Sequence, residues 1–432
     1  MIATLSGIRG ILNGDLSLAE VSNFATNFGK ANGSREFLLA RDSRTTGPVM
    51  SKAVAAGLSS LGSTVQDYGI ISTPALFRES RLRQRPAVMV TASHNEPEFN
   101  GLKFLVDGAG IGKETFDAVV GAPGQVGEFR AGLIREGRNP SYVGDLLERF
   151  GAGSCEGVRV ALDLGGGAAI AHAVPLLTRL GCEVASVNDS YGVFNRRVDP
   201  VADDLALLRK IVKEKESDVG LGFDCDGDRL VIVDSSGRKR TGDYMLTLAL
   251  SEMLAETREK RVVVSLDTTQ AIDDLAKKTG GEVLRSKVGE ANVVTLMKEK
   301  GARLGGEGSS GGLIDGAFNY CRDSMIAALA IIRALKQRGR SFYDSVPVYH
   351  QERVAMEIPR TRVQKGIKKL GSKYDEADLM DGFKLILPEH SWVLVRPSGT
   401  ENLVRVSAEA RTSAAAARIA NSFAKKIREL SG

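Results

Sequence analysis

Several features that would place this chain in a specialised class are absent from its sequence. No apolar run is long enough to cross a bilayer, and the first residues include no charged signal-peptide region. The four cysteines are far apart and form no CxxC pair, which indicates free thiols in a reducing compartment; they are Cys155, Cys182, Cys225 and Cys321. We therefore expect a cytoplasmic protein without a membrane partner.

The charge is too evenly balanced to predict a nucleic-acid partner. A formal net charge of +5 arises from 58 Lys and Arg against 53 Asp and Glu, which are dispersed along the chain. Low-complexity tracts and clear sequence repeats are absent as well. What remains is a chain of 432 residues, 43% hydrophobic and 26% charged, which is long enough for several domains with ordinary globular cores.

A serine follows a short predicted strand in the first part of the chain. Residues 87–90 are apolar, and the polar segment Thr91-Ala92-Ser93-His94-Asn95 comes directly after them. Because parallel α/β sheets bind ligands at the carboxyl ends of their strands, Ser93 is a candidate site residue. Considered alone, the segment is explained equally well as an ordinary strand-to-loop junction with a surface serine.

A second polar loop contains three carboxylates at alternate positions. Asp224, Asp226 and Asp228 lie between two strand-like runs at 219–223 and 230–233. Such carboxylates can converge on one hard cation, and Mg²⁺ prefers oxygen ligands of this kind. The loop glycine stands at the fourth position rather than the sixth, which excludes an EF-hand. The alternative is an acidic, solvated turn.

Two further loops suit a phosphorylated sugar. Residues 305–312 contain five glycines, a glutamate and two serines, which can approach a ligand closely and bond to hydroxyl groups, although flexible linkers have a similar composition. Residues 396–402 follow an apolar run and contain an arginine, two hydroxyl side chains and a glycine. This second set is typical of a phosphate-binding loop, with a plain surface turn as the alternative.

Together, these four loops resemble those of the α-D-phosphohexomutases, the family of phosphoglucomutase, phosphomannomutase and phosphoglucosamine mutase. Their order and spacing fit the family over nearly the whole chain, and the sugar loop is closer to the form found in archaeal-type members. Three smaller segments add to the resemblance: Ser6-Gly7-Ile8-Arg9-Gly10, Ala40-Arg41-Asp42-Ser43-Arg44 and Gly101-Leu102-Lys103.

The resemblance implies a fold of three similar mixed α/β domains and a smaller C-terminal α+β domain around a central cleft. We expect a phosphoserine domain at 1–150, a metal-binding domain at 151–245, a sugar-recognition domain at 246–350 and a phosphate-binding domain at 351–432. Glycine-containing segments and strand patterns along the chain agree with these divisions.

The resemblance also implies an activity, the interconversion of hexose 6-phosphate and hexose 1-phosphate. Ser93 would carry the phosphoryl group, with a hexose 1,6-bisphosphate as intermediate and activator. Mg²⁺ would be held by a Ser93 oxygen and by the three aspartates Asp224, Asp226 and Asp228.

Other residues acquire roles from the same resemblance. Arg9 would be an active-site group, Arg229 would stabilise charge on the transferring group, and His94 would orient Ser93 or serve a structural role. Lys103 is the candidate general acid/base, which requires a lowered pKa, and its alternative is a surface lysine. The residues expected to bind substrate are Glu290, Glu307, Ser309, Ser310, Arg396, Ser398, Gly399, Thr400 and Arg405.

The sugar itself is less well determined by the sequence. Gly311 and Gly312 replace a histidine that many members have, and the sequence leaves open which of Ser309 and Ser310 contacts the sugar. Glu290 is placed to pair with an ammonium group, which favours glucosamine phosphate over glucose and mannose phosphates. A magnesium-dependent sugar phosphatase and a non-catalytic sugar-phosphate sensor stay open as alternatives of another class. A homodimer also stays open.

Overall fold

Four β-sheets follow one another along the chain in the computed structural model, which describes residues 1–121, 130–138, 140–397 and 403–431. The first sheet has eight strands in the order β1-β2-β6-β5-β3-β4-β8, and β7 pairs with β6. Its strands are β1 (Ile2–Thr4), β2 (Gly7–Ile11), β3 (Glu36–Arg41), β4 (Thr64–Ile70), β5 (Ala87–Val90), β6 (Phe99–Val106), β7 (Ala109–Gly110) and β8 (Ile134–Glu136). The helices of this region are α1 (Leu18–Asn32), α2 (Gly47–Ser59), α3 (Thr73–Arg83), α4 (Lys113–Val120) and α5 (Tyr142–Phe150).

The second and third sheets have the same topology as each other. The second, in the order β10-β9-β11-β12, consists of β9 (Arg159–Asp163), β10 (Glu183–Val187), β11 (Val219–Phe223) and β12 (Leu230–Asp234). The third, in the order β14-β13-β15-β16, consists of β13 (Arg261–Ser265), β14 (Glu282–Ser286), β15 (Leu304–Glu307) and β16 (Gly312–Asp315). Their helices are α6 (Ala173–Arg179), α7 (Ala206–Glu214), α8 (Gly242–Glu256), α9 (Ala271–Thr279), α10 (Glu290–Lys300) and α11 (Ser324–Arg338).

In both of these sheets three strands are parallel and the last is antiparallel, and the first sheet contains the same unit as β4-β3-β5-β6. The turn between the third parallel strand and the antiparallel strand is therefore equivalent in all three. It holds the serine loop after β5, the aspartate loop after β11 and the sugar loop after β15. The expectation that residues 305–312 form a loop throughout is wrong in part, because 305–307 extend β15 and pair with β16.

The fourth sheet is antiparallel throughout, in the order β17-β20-β19-β18. It consists of β17 (His350–Glu357), β18 (Phe383–Leu387), β19 (Ser391–Pro397) and β20 (Leu403–Ala410), and its helices are α12 (Arg360–Gly371) and α13 (Ser413–Ser431). The predicted architecture of three mixed α/β domains and a C-terminal α+β domain is confirmed. The exact domain boundaries stay a prediction.

The first three domains are joined by one continuous apolar core, whereas the fourth has its own. Helix α11 lies inside the shared core and is apolar on nearly every side, as expected for a fully buried helix. All four cysteines are free and buried. Within the described residues, no helix is long and apolar enough to span a membrane.

Candidate active site

A cleft of about 900 Å³ lies where the domains meet. Each of the three equivalent turns reaches it or lies against it, because the carboxyl ends of the parallel strands face the same space. The predicted site residues that line this cleft are Arg9, His94, Lys103, Arg229, Glu290, Glu307, Ser309, Ser310 and Arg405.

Ser93 is completely buried beside the aspartate loop. Its Oγ donates to Asp224 Oδ2 at 3.1 Å and lies 3.4 Å from His94 Nδ1. The backbone of Ser93 is left-handed, with φ of +54°, a conformation that costs a residue other than glycine roughly 1 kcal/mol. Strained conformations of this kind persist where the surroundings hold them, and they concentrate at functional sites.

A buried arginine holds the serine loop in this strained shape. The guanidinium of Arg44, which has no exposed surface, donates to the carbonyl oxygens of Ser93, Asn95, Glu96 and Phe99 at 2.6 to 2.8 Å. Asp42 pairs with Arg44 at 3.1 Å and accepts a hydrogen bond from Thr91, whose hydroxyl in turn accepts from the Ser93 N–H at 2.8 Å. The sequence placed Arg44 in a strand-end motif but indicated no role for it.

The three aspartates Asp224, Asp226 and Asp228 converge as predicted. One oxygen from each lies within 4.8 Å of the others, and all three side chains are buried. The turn between them requires Gly227, whose φ is +70°. Burial, followed by the charges of Asp226 and Asp228, raises the pKa of Asp224 well above its ordinary value, because a third negative charge beside the other two is unfavourable.

This cluster could bind a metal ion. Asp226 Oδ1 and Asp228 Oδ1 are buried and have no hydrogen-bond partner among the described residues. Buried carboxylate oxygens without a partner are costly, and a hard cation satisfies them. The donor set is made of oxygens only, which suits magnesium better than a metal that prefers thiolate or imidazole ligands.

Cationic and hydroxyl donors occupy the opposite oxygens of the cluster. Lys103 Nζ lies 2.6 Å from Asp226 Oδ2 and 2.9 Å from Asp228 Oδ2. The expectation of a lowered pKa for Lys103 is wrong: burial acts to lower the pKa, but the charges of Asp226 and Asp228 outweigh burial and raise it. Thr73, the first residue of α3, also donates to Asp226 Oδ2 at 2.6 Å, a contact that the sequence did not indicate.

Three basic side chains surround the serine on the cleft side. Arg9 donates to Asn95 Oδ1 at 2.9 Å, and Arg229 Nη2 lies 3.4 Å from His94 Nε2. Burial, followed by the charges of Arg229 and Arg9, lowers the pKa of His94 far below its ordinary value. His94 is therefore neutral and sits in a positive field suited to a phosphate group.

The sugar loop places its acidic residue in the cleft wall. Glu307 is buried and accepts from the N–H of Gly289 at 2.8 Å; burial raises its pKa. Ser310 is buried and its hydroxyl donates to the Glu307 carbonyl at 3.3 Å, whereas Ser309 is only half-buried. Of the two serines, Ser309 is thus the more accessible to a ligand.

Arg322 joins these groups, although no motif in the sequence marked it. Its guanidinium contacts Asp228 at 2.8 Å, Glu290 at 2.9 Å and Glu307 at 3.6 Å. Glu290, expected to meet an ammonium group, therefore already has one cationic partner.

The fourth predicted loop is described only in part. Arg396 lies at the end of β19, forms an ion pair with Asp381 at 2.8 Å and is the register partner of Arg405 on β20. Asp381 also accepts from the N–H of Val288 at 3.0 Å, so Arg396 is held near the sugar-loop side of the cleft. Ser398, Gly399 and Thr400 lie outside the described residues.

Known proteins show the same succession of domains. Family profiles match in order: phosphoglucomutase/phosphomannomutase alpha/beta/alpha domain I at residues 2–122, domain II at 140–237, domain III at 241–351 and the C-terminal domain at 361–426. The chain belongs to the phosphoglucomutase/phosphomannomutase family.

Individual relatives agree with this phosphohexomutase assignment. A probable phosphoglucosamine mutase of Methanopyrus kandleri is 30% identical, over 98% of this chain and 97% of that protein. A phosphoglucomutase/phosphomannomutase of Thermococcus kodakarensis is 32% identical, over 94% of each. A phosphoglucomutase/phosphomannomutase family protein of Burkholderia thailandensis has a TM-score of 0.86 at 25% identity, over 99% of this chain and 98% of that one. This phosphohexomutase is therefore an isomerase, an intramolecular phosphotransferase.

Proposed function

We propose that this phosphohexomutase interconverts glucosamine 6-phosphate and glucosamine 1-phosphate. The observation that carries the choice of sugar is the pair of carboxylates at the cleft, Glu290 and Glu307, which share the guanidinium of Arg322. Because Arg322 also pairs with Asp228, its one charge is divided among three carboxylates. An ammonium group offsets the remaining negative charge, and a sugar hydroxyl does not.

The names of the relatives support this sugar, but they also support a second candidate. The Methanopyrus kandleri relative is named as a probable phosphoglucosamine mutase. The Thermococcus kodakarensis relative is named as a phosphoglucomutase/phosphomannomutase, which favours glucose and mannose phosphates. A mutase acting on those two sugars is therefore the second candidate.

In the proposed reaction Ser93 is the phosphoryl carrier. The bond between phosphorus and Ser93 Oγ breaks while a bond forms from phosphorus to the free hydroxyl oxygen of the sugar. The hydroxyl proton leaves to a base, and the product is the 1,6-bisphosphate. After this intermediate turns round, its other phosphoryl group returns to Ser93 Oγ, and the proton returns to the sugar oxygen.

The side chains around Ser93 supply the charge and proton transfers in this proposal. Lys103 is the candidate for the proton exchange, but to act as the base it must first leave the ion pairs with Asp226 and Asp228, because these raise its pKa and keep it charged. Arg9 and Arg229 compensate the charge that spreads over the phosphoryl oxygens. Neutral His94, 3.4 Å from Ser93 Oγ, orients the oxygen. A magnesium ion held by the three aspartates and the Ser93 oxygen would supply Lewis-acid stabilisation of the transferring group.

Substrate binding in the proposal uses the two remaining loops. Glu307 and Ser309 contact the sugar hydroxyls, and Arg396 and Arg405 hold the phosphate that is not being transferred. Since the two ends of the sugar exchange places, this phosphate site accepts the substrate in two orientations.

A coupled mutase assay on glucosamine, glucose and mannose phosphates tests the function. It contains Mg²⁺ and a trace of hexose 1,6-bisphosphate, and it compares the wild type with Ser93→Ala. We expect the highest kcat/KM with glucosamine 6-phosphate and a loss of several orders of magnitude in the variant. Phosphate release that is equal in the two proteins would identify a phosphatase, and no turnover at all would identify a sensor.

The sugar preference has its own test in Glu290→Gln. Without the carboxylate charge, kcat/KM for glucosamine 6-phosphate should fall about tenfold relative to that for glucose 6-phosphate, the size of one hydrogen bond to a charged group. Glu282→Gln, at an exposed ion pair with Arg261 on the same domain, is the matched control. An unchanged ratio in Glu290→Gln would remove the argument for the amino sugar.

A further inference from the structure

Arg322 occupies the space between the aspartate loop and the sugar loop. Its side chain is only 9% exposed, although it carries a permanent charge. Nη2 donates to Asp228 Oδ2 at 2.8 Å and Nη1 donates to Ser310 Oγ at 3.3 Å. Nε lies 2.9 Å from Glu290 Oε2, and the Arg322 N–H donates to the same oxygen. One guanidinium thus contacts three separate segments of the chain.

The path of this side chain depends on a glycine in the sugar loop region. A Cβ atom on Gly312 would lie 2.2 Å from Arg322 Cδ and 2.5 Å from Cγ, which is far inside van der Waals contact. The backbone of Gly312 is not left-handed, so it is space rather than conformation that requires glycine there. The missing side chain at Gly312 is what lets Arg322 reach Asp228.

The charge of Arg322 acts against a cation at the aspartate cluster. Asp228 Oδ2 is occupied by Arg322 and Lys103, whereas Asp228 Oδ1 has no hydrogen-bond partner among the residues described. A fixed positive charge beside this carboxylate weakens the attraction of a second cation for it. For sugar binding the effect of Arg322 should be favourable, because the orientations of Glu290 and Ser310 depend on its guanidinium.

We propose that Arg322 is a positioning residue that ties the aspartate loop to the sugar loop, so that it opposes metal binding and supports sugar binding. The part of the proposal that concerns sugar binding rests on the proposed function. The part that concerns metal binding rests on the aspartate cluster alone. Removing the charge should therefore change the two affinities in opposite directions. A residue that only stabilises the fold would weaken both.

The test is a direct metal titration of the whole chain, combined with steady-state kinetics. Isothermal titration with Mg²⁺, checked by electron paramagnetic resonance with Mn²⁺, should give Arg322→Gln a dissociation constant about tenfold lower than the wild type. KM for glucosamine 6-phosphate should rise about tenfold. Arg322→Lys keeps the charge but cannot reach all its acceptors, so its metal affinity should stay within about twofold while KM rises.

Gly312→Ala provides a second route to the same change. The added methyl group should push Arg322 away from Asp228 without removing any charge from the chain, and metal binding should tighten as KM rises. The double variant with Arg322→Gln should differ little from either single variant in metal affinity and KM, because both substitutions break the same interaction between Arg322 and Asp228. Full additivity in the double variant would contradict the proposal.

The failure of this inference and the failure of the proposed function are distinguishable. Weaker Mg²⁺ binding in Arg322→Gln, or an unchanged KM, overturns the role of Arg322 whatever the sugar. If the wild type prefers glucose or mannose phosphate, the proposed sugar is wrong. The KM values of the wild type and Arg322→Gln are then compared on the preferred sugar phosphate. If Arg322→Gln does not fold, Gly312→Ala decides.

Discussion

The carboxylate oxygens of the aspartate cluster divide into two kinds. Asp226 Oδ2 accepts hydrogen bonds from Thr73 and Lys103, while Asp226 Oδ1 has no partner among the described residues. Donors on one oxygen fix the rotation of the carboxylate and leave the other oxygen available to a metal ion. Unlike Arg322, the Thr73 hydroxyl is neutral, so it orients Asp226 without repelling a cation.

Thr73→Val should therefore weaken metal binding instead of strengthening it. Valine keeps the shape of the side chain but loses the donor to Asp226, and partners of this kind contribute about tenfold to metal affinity. We expect a dissociation constant for Mg²⁺ about tenfold higher, measured by calorimetric titration.

The matched control for this substitution is Thr26→Val. Thr26 is also a buried threonine of the first domain, but its hydroxyl donates to Ser22 and Gly57 carbonyls between α1 and α2, far from the cluster along the chain. Its loss should lower stability and leave metal affinity unchanged. Equal metal affinities in the two variants would show that Thr73 does not position Asp226.

At the scale of strands and turns, the sequence predicted where the site loops lie but not that they are equivalent. An apolar run followed by polar residues locates the end of a strand, and this succeeded for Ala87–Val90 and Val219–Phe223. The common strand order of the three domains depends on pairings between distant segments, which local periodicity does not encode. The sequence also did not predict the end of β15, because its glycines have no side chains and therefore show no alternating pattern.

The residues that the sequence missed all act over long separations. Arg322 lies 94 positions from Asp228, and Thr73 lies 153 positions from Asp226. Each contact exists because the shared core packs two domains together, so neither residue stands in a local motif. Ser93 and the aspartates were found because their chemistry is concentrated within a few neighbouring positions.

The conformation of the serine loop depends on hydrogen bonds from Arg44, and Arg44→Lys should destabilise that conformation. A lysine cannot donate in the plane of the four carbonyl oxygens that Arg44 contacts, so buried acceptors lose their partners. We expect the free energy of unfolding to fall by about 3 kcal/mol, measured by urea denaturation, together with a lower kcat.

Arg41→Lys is the control for the loss of a neighbouring guanidinium. Arg41 is half-buried and donates to the carbonyl of Asp42 at 3.1 Å, and within the part of the chain that the structure describes its side chain makes no hydrogen bond to the serine loop. Its substitution should cost less than about 1 kcal/mol and leave kcat unchanged. Similar losses in both variants would mean that Arg44 has no special role in shaping the loop.

At the scale of the whole molecule, a small apolar cluster forms part of the contact between the fourth domain and the third. Trp392, the only tryptophan in the chain, packs there with Leu266 and Leu394. Lys384 is buried beside it, donates to the Leu266 carbonyl at 2.5 Å and lies over the Trp392 ring at 4.8 Å. Since the fourth domain has its own core, its docking onto the third depends on contacts between their surfaces such as this one.

Burial, followed by the charge of Arg285, lowers the pKa of Lys384 to about 7, while Asp273, Asp267 and Glu409 act to raise it. Between about pH 7 and pH 10 the lysine is then neutral when docked but charged when exposed. Docking in this range releases a proton, so the interface should strengthen as the pH rises, by up to about 1.4 kcal/mol per pH unit. Below pH 7 the lysine is charged in both states, and the dependence should level off.

Urea unfolding followed by Trp392 fluorescence at pH 7, 8 and 9 measures this dependence. The midpoint for the wild type should rise with pH, and Lys384→Met should flatten the rise because the titrating group is gone. Lys369→Met removes an exposed lysine from α12 of the same domain and should keep the wild-type slope. If Lys384→Met shows the wild-type slope as well, some other group governs how the fourth domain docks.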